Sequence, residues 1–147
     1  PFTTKQLHLG HFTHRRRVYQ MVDTPGLLDR PTSERNKIEL QAIAALEHLG
    51  DALVFLIDRT PDSTTHISEQ ENLLQEVRGM IVERPIILVS SKSDLLDSPN
   101  NEGEHRLSSE TGEGLEDLRQ LLIDVIAADE VSDPLSLPEH WPRNDTK

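Results

Sequence analysis

The 147-residue sequence contains no cysteine, only 3% aromatic residues and no long apolar run. Without cysteine, disulfide bonds, thiolate zinc sites and thiol nucleophiles are excluded. A transmembrane helix needs about 20 predominantly apolar residues, and no basic start followed by an apolar run marks a secretory signal. We therefore expect a cytoplasmic protein with no membrane partner, built from about one domain.

Basic residues are also scarce, at 15 against 26 acidic ones, which gives a net charge of −11. Such a balance repels nucleic-acid backbones unless the cations are concentrated in one place, so we expect no DNA partner. Only four of the basic residues are lysines. The excess of carboxylates is typical of proteins from a high-salt cytoplasm, although an ordinary acidic protein fits it equally well.

Short apolar runs alternate with segments of helical periodicity. Residues 6–13 and 17–22 predict an antiparallel hairpin around His14, Arg15 and Arg16. Runs at 52–58 and 85–91 have the length of buried strands, whereas residues 33–49, 67–79 and 114–128 have apolar positions at helical spacing. This alternation predicts an α/β fold, a three-layer and mostly parallel sheet with the hairpin at one edge and helices on both faces.

The composition of the sequence changes after residue 128. Residues 129–147 are rich in proline and polar side chains, and they predict a tail or linker. We therefore divide the chain into a domain at 1–128 and a tail at 129–147.

Polar sequences follow the predicted strands, where ligands bind in parallel α/β sheets. DTPG at 23–26 ends the hairpin, SKSD at 91–94 follows the second apolar run, and SSETGEG at 108–114 precedes the last helix. A strand-end carboxylate can hold Mg²⁺ through water, and a glycine amide can approach a phosphate closely. The carboxylate of Asp94 could accept two hydrogen bonds from guanine while the stem of Lys92 covers the ring. Taken alone, SKSD could equally be a solvated turn.

Taken in order with PFTTK at 1–5, these sequences resemble four boxes of the translation-factor-related GTPases. Longer stretches, YQMVDTPGLLDRP and ERNKIELQAIAALEHLGDALVFLID, resemble an archaeal version of the nucleolar GTP-binding protein family within the Obg-like group. The resemblance covers about residues 1–127 and implies the P-loop GTPase fold. It also implies GTP or GDP with Mg²⁺ as ligands and a part in large ribosomal subunit assembly.

The resemblance also implies roles for single residues. Thr4, with Thr3 as the alternative, would meet Mg²⁺ and the γ-phosphate, and Asp23 would be the second Mg²⁺ partner. The amide of Gly26 would sense the γ-phosphate. Lys92 and Asp94 would read guanine, and the amide of Ser109 would meet its O6 atom.

Three features depart from the family pattern. No G-x-x-x-x-G-K-[ST] loop is present, and in the family that loop and its strand lie immediately before PFTTK, so we expect the chain to begin inside switch I. Ser91 stands where the family has asparagine, which could cost one neutral hydrogen bond of ~0.5–1.5 kcal/mol. Leu27 cannot orient water as the glutamine of Ras-type enzymes does, which implies slow hydrolysis.

The resemblance implies a slow GTPase switch in the complete protein and no activity in this chain alone. The alternative is a non-catalytic interaction module, a truncated or degenerate GTPase-like domain that binds a partner without nucleotide. The run Arg15, Arg16 and Arg17 could contact ribosomal RNA phosphates or be a solvated turn.

We predict that residues 1–147 alone bind guanine nucleotides weakly. The missing loop supplies most of the amide contacts to the β-phosphate in proteins of this fold. Titration with fluorescent GDP tests this, and micromolar or tighter binding would contradict it.

If the protein comes from a high-salt cytoplasm, we predict that molar KCl raises the unfolding temperature of the complete domain well beyond its effect on a near-neutral relative. At low ionic strength the Debye length grows from ~3 Å at 1 M to ~30 Å at 0.01 M, so the excess of carboxylates repels itself across the domain. Thermal melts at rising KCl, with and without GDP and Mg²⁺, separate screening from ligand stabilisation. An unfolding temperature that stays flat or falls would count against the halophilic interpretation.

Overall fold

A computed structural model describes residues 8–24, 48–99 and 101–132 of the chain. It contains five strands, which are β1 (His8–His14), β2 (Arg17–Asp23), β3 (Leu53–Asp58), β4 (Ile86–Ser91) and β5 (Glu104–Arg106). Two α-helices, α1 (Ile67–Met80) and α2 (Leu115–Ser132), and a 3₁₀ turn at Ser93–Leu95 complete the described elements. None of the helices in these ranges is both long and apolar enough to cross a membrane.

The predicted α/β architecture is confirmed in a parallel sheet with the order β3-β4-β5. Its middle strand, β4, sends alternate side chains to opposite faces. Leu88 packs with the cluster of Phe55, Ile57 and the apolar side of α1, whereas Val89 packs with Leu118 of α2 on the other face. Helices therefore cover both faces of the sheet, as the continuous apolar runs predict.

The predicted hairpin is present, and its turn has two residues, Arg15 and Arg16, where three were predicted. Arg15 and Arg16 both have positive φ, at 46° and 68°. Positive φ at both central residues is the geometry of a type I′ turn, which matches the twist of the flanking strands but usually selects asparagine and glycine. Two arginines therefore occupy a turn that their side chains do not favour, and both are exposed at its tip.

The position of the hairpin differs from the predicted edge of a single sheet. Within the described residues, β1 and β2 form a two-stranded sheet that is separate from the β3-β4-β5 sheet. The hairpin packs on α2 instead. The rings of Phe12 and Tyr19 stack at 4.9 Å, and Arg119 of α2 lies over the Phe12 ring and donates to the Thr13 carbonyl at 2.7 Å.

Helix α2 runs on through Ser132, beyond the predicted end at residue 128. Acidic residues in a last helical turn oppose the helix dipole, but here both have arginine partners. Arg84 donates to Asp129 at 2.7 Å and Arg17 donates to Glu130 at 2.6 Å. These ion pairs offset the unfavourable charges and hold the last turn against the sheet and the hairpin.

Some predictions fall outside the described residues. The helix predicted at 33–49 is described only at His48 and Leu49, where the backbone is helical. Residues 133–147 of the predicted tail also lie outside.

Candidate functional site

The carboxyl ends of β3, β4 and β5 meet at one edge of the parallel sheet. Asp58 ends β3 and is in register with Ser91, which ends β4. Lys92 and Asp94 follow β4, and Ser109 follows β5. The structure therefore brings together three of the residues predicted to read a nucleotide base, and all three are exposed.

Of the other predicted site residues, the structure describes Asp23. Asp23 ends β2, opposite His8 in the separate hairpin sheet. Thr4 and Gly26 lie outside the described residues. Among the residues that the structure does describe, no three histidine, aspartate or glutamate side chains form a group that could hold a metal ion.

Lys92 has a left-handed backbone, with φ at 53° and ψ at 41°. This conformation is sparsely populated for a residue with a side chain, and it is found mainly where the surrounding structure imposes it. The Nζ atom donates to Oδ2 of Asp58 at 2.7 Å, and this hydrogen bond raises the pKa of Lys92. The side chain of Lys92 therefore crosses from the end of β4 to the end of β3.

Asp58 is a charged partner fixed by other contacts. Its Oδ1 atom accepts from the Thr60 amide at 2.9 Å and from the Thr60 hydroxyl at 2.6 Å. Burial acts to raise the pKa of Asp58, but hydrogen bonds from Lys92 and Thr60 outweigh it and leave the pKa lowered. Both partners are thus ionised near neutral pH, and the pair is lost as the pH falls through the lowered pKa of Asp58 or rises through the raised pKa of Lys92.

Asp94 lies on the 3₁₀ turn and is held by a residue from the loop after β5. The hydroxyl of Ser108 donates to Oδ1 of Asp94 and accepts from the Thr111 amide at 3.2 Å. Ser108 is fully buried, whereas Asp94 is exposed. Ser108 therefore orients the carboxylate of Asp94 from the protein interior, and the exposed side of the carboxylate is accessible to a ligand.

A second set of contacts fixes these two segments to each other. Arg106 donates to the carbonyls of Ser93 at 2.5 Å and Ser98 at 2.9 Å, and its Nε donates to Glu113 at 3.1 Å. The other oxygen of Glu113 accepts from the Ser93 hydroxyl at 2.7 Å. Ser93, followed by Arg106, lowers the pKa of Glu113, so this carboxylate is ionised near neutral pH.

Ser91, which is predicted to stand at the asparagine position of the family, forms a local hydrogen bond. Its hydroxyl donates to the Ile57 carbonyl at 3.2 Å. The short side chain thus ties β4 to β3.

Several residues that shape this edge were not singled out from the sequence: Asp58, Gln70, Arg106, Ser108, Glu113 and Gly114. One of them carried a usable signal. Asp58 is a carboxylate at the end of a buried strand, the same signal that selects Asp23 and Asp94. Ser108, Glu113 and Gly114 lie within SSETGEG, which the sequence analysis selected without giving these residues individual roles. Gln70 and Arg106 act through contacts that no local pattern reveals.

Comparison with known proteins identifies relatives for most of the chain. The family model for Nucleolar GTP-binding protein 1 (NOG1) matches residues 37–94, a stretch that contains Asp58 and ends at Asp94. Over these residues the chain is similar to the nucleolar GTP-binding protein family. An uncharacterized protein of Methanocaldococcus jannaschii is 47% identical over 97 residues, which are 66% of this chain and 26% of that protein. Nucleolar GTP-binding protein 1 of Arabidopsis thaliana is 38% identical over 105 residues, 71% of this chain and 16% of that protein.

A solved structure supports the fold. The crystal structure of a Plasmodium falciparum protein assigned as nucleolar GTP-binding protein 1 has a TM-score of 0.73 and 28% identity to this chain. The match covers 90% of this chain and 76% of that one. The chain thus shares its architecture with this family member, although it spans only about a quarter or less of the length of the full relatives named above.

We predict that Gly114→Ala strongly destabilises the protein. Gly114 has φ at 76°, and a Cβ atom there would lie 1.9 Å from the Arg106 carbonyl oxygen, so the backbone must move where the loop meets β5. We expect a loss of about 3 kcal/mol or more, because a steric clash with backbone adds to the cost of positive φ.

Gly112→Ala is the matched control. Gly112 has φ at 82° but open space around its Cβ position. Chemical denaturation of both variants isolates the clash, and equal destabilisation by the two substitutions would contradict the close approach at Gly114.

Proposed function

We propose that this chain is the base-reading part of a GTP-binding protein. The observation that carries the proposal is the exposed carboxylate of Asp94, oriented by buried Ser108 and placed beside Lys92 at the carboxyl edge of the sheet. A carboxylate accepts hydrogen bonds only, and guanine presents two neighbouring donors, N1–H and the exocyclic amine. The name of the Arabidopsis thaliana relative, Nucleolar GTP-binding protein 1, supports the same ligand.

The remaining guanine contacts come from the loop after β5 and from Lys92. The amide of Ser109 would donate to O6, an atom that adenine lacks, and the aliphatic stem of Lys92 would cover one face of the ring. A donor for O6 and an acceptor for N1–H discriminate strongly, because an adenine in the same position leaves both protein groups unpaired.

The phosphate and metal contacts belong to other segments. Thr4 and the amide of Gly26 would meet the γ-phosphate, and Thr4 and Asp23 would hold Mg²⁺. Mg²⁺ binds through one or two carboxylates together with phosphate oxygens and water, and the exposed carboxylate of Asp23 fits that donor set. When bound, the ion neutralises charge on the phosphates.

We propose that the complete protein is a slow GTPase switch in large ribosomal subunit assembly. Leu27 after Gly26 supplies no group to orient an attacking water, so efficient hydrolysis needs a group from elsewhere. At the hairpin tip, exposed Arg15 and Arg16 are available to ribosomal RNA phosphates, whereas Arg17 is engaged by Glu130 and lies 5.2 Å from the Tyr19 ring. The archaeal origin, the high-salt habitat and the cytoplasmic location remain predictions.

A second candidate is a non-catalytic interaction module. The lack of a G-x-x-x-x-G-K-[ST] sequence within these 147 residues favours it for this polypeptide. Nucleotide titration of the complete gene product separates the two functions, because an interaction module would bind its partner without guanine nucleotide.

We predict that Asp94→Asn in the complete gene product abolishes the preference for guanine. An amide cannot accept both base protons, but its own N–H can donate to the carbonyl of xanthine, while phosphate contacts are unchanged. Competition between GTP and xanthosine triphosphate measures the ratio, which we expect to fall by about 100-fold or more.

Asp97→Asn provides the control. Asp97 is an exposed acid three residues further along the same loop, so its substitution makes the same change in charge. Loss of guanine preference in Asp97→Asn, or its retention in Asp94→Asn, would remove Asp94 from the base-reading role.

A further inference from the structure

A buried glutamine of α1 fixes the backbone at the end of β3. Gln70 is 1% exposed. Its Oε1 atom accepts from the Asp58 amide at 2.8 Å, and its Nε2 atom donates to the Asp58 carbonyl at 2.8 Å and to the Thr65 carbonyl at 2.9 Å. The side-chain amide pairs with Asp58 as a neighbouring strand would, so this backbone position is set without help from the Asp58 side chain.

The Asp58 carboxylate is then oriented by a local turn. Both Thr60 contacts go to Oδ1. This leaves Oδ2 for the Lys92 ammonium at 2.7 Å. A carboxylate with fixed backbone and one fixed oxygen can present the other oxygen in only one place.

Lys92 differs from Asp58 in its mobility and exposure. Its side chain is 55% exposed, against 20% for Asp58. A free lysine side chain samples many rotamers, and the binding energy of a ligand that packs on its stem must otherwise order it. The pair therefore orders the lysine before any ligand arrives.

We propose that Asp58 is a positioning residue that holds the stem of Lys92 in place for the purine ring, and so sets nucleotide affinity without setting base choice. This inference rests on the proposed guanine-nucleotide function and adds to it a residue on a different strand. Asp94 and Ser109 are supported by Ser108 and the Arg106–Glu113 contacts on the β5 side. Affinity from Lys92 and discrimination from Asp94 therefore have separate supports.

The test is a double-mutant cycle in the complete gene product, with GDP and Mg²⁺ as the ligand. Asp58→Asn removes the charge that holds Lys92 but keeps an oxygen for the Thr60 amide and leaves the Gln70 contacts intact. We expect GDP binding to weaken by about 3- to 5-fold, the range of a partly exposed ion pair. The ratio of GDP to xanthosine diphosphate binding should stay as in the wild type.

The second arm shows whether Asp58 acts through Lys92. Lys92→Met keeps an apolar stem without the ammonium, so in that background Asp58→Asn should have no further effect on GDP binding. Asp62→Asn is the control, since Asp62 is an exposed acid of the same loop that affects Lys92 only by its charge. We expect it to leave GDP binding within about 1.5-fold of the wild type.

Each outcome decides the question. An equal loss from Asp58→Asn in both backgrounds, or wild-type affinity in Asp58→Asn, overturns the inference while Asp94→Asn still reports on the guanine site. Failure of the wild-type gene product to bind GDP overturns the proposed function and this inference together. If Asp58→Asn does not fold, Asp58→Ser, whose hydroxyl still accepts from the Thr60 amide, takes its place in the cycle.

Discussion

The candidate site depends on the register of β4 between its two parallel neighbours. Val89 is fully buried on one face and Leu88 packs on the other, so a shift by one residue would send each side chain to the wrong layer. In that register Ser91 is paired with Asp58, and the Leu107 amide donates to the Ser90 carbonyl at 2.9 Å. Every contact of Lys92 and Asp94 described above follows from these two alignments.

Although the chain is acidic overall, arginine side chains pair with carboxylates beside the sheet. Arg59 pairs with Glu104, whose side chain is only 3% exposed, and with Glu71 at 3.4 Å. A buried carboxylate without a partner is costly, and Arg59 supplies Glu104 with a charged partner on the face of β5 toward α1. Among the described arginines, Arg59 thus pairs with a buried carboxylate, whereas Arg15 and Arg16 are exposed at the hairpin tip.

The elements that could be predicted from the sequence are those with an apolar pattern. The sequence predicts strands β3 and β4 and helix α1 because their buried positions follow an apolar pattern. It predicts the hairpin because two strand-like segments flank a basic turn. Strand β5 was not, because it has three residues, Glu104, His105 and Arg106, and its burial depends on distant ion pairs. For the site, motifs selected Lys92, Asp94 and Ser109, whereas Gln70, Ser108 and Glu113 act on them through contacts that only the folded chain shows.

The proposed base-reading site needs two side chains in fixed positions, and the structure supplies a separate support for each. Lys92 is held from β3 through Asp58, and Asp94 is held from the loop after β5 through Ser108. Both residues themselves follow β4, in a segment with a left-handed residue and a short 3₁₀ turn that has few backbone bonds of its own. A single support would leave one group to be ordered by the ligand, at a cost in affinity. With two supports, β3 and β5 each fix one side of the segment, and the strain of the left-handed Lys92 is maintained by the packed sheet on both sides.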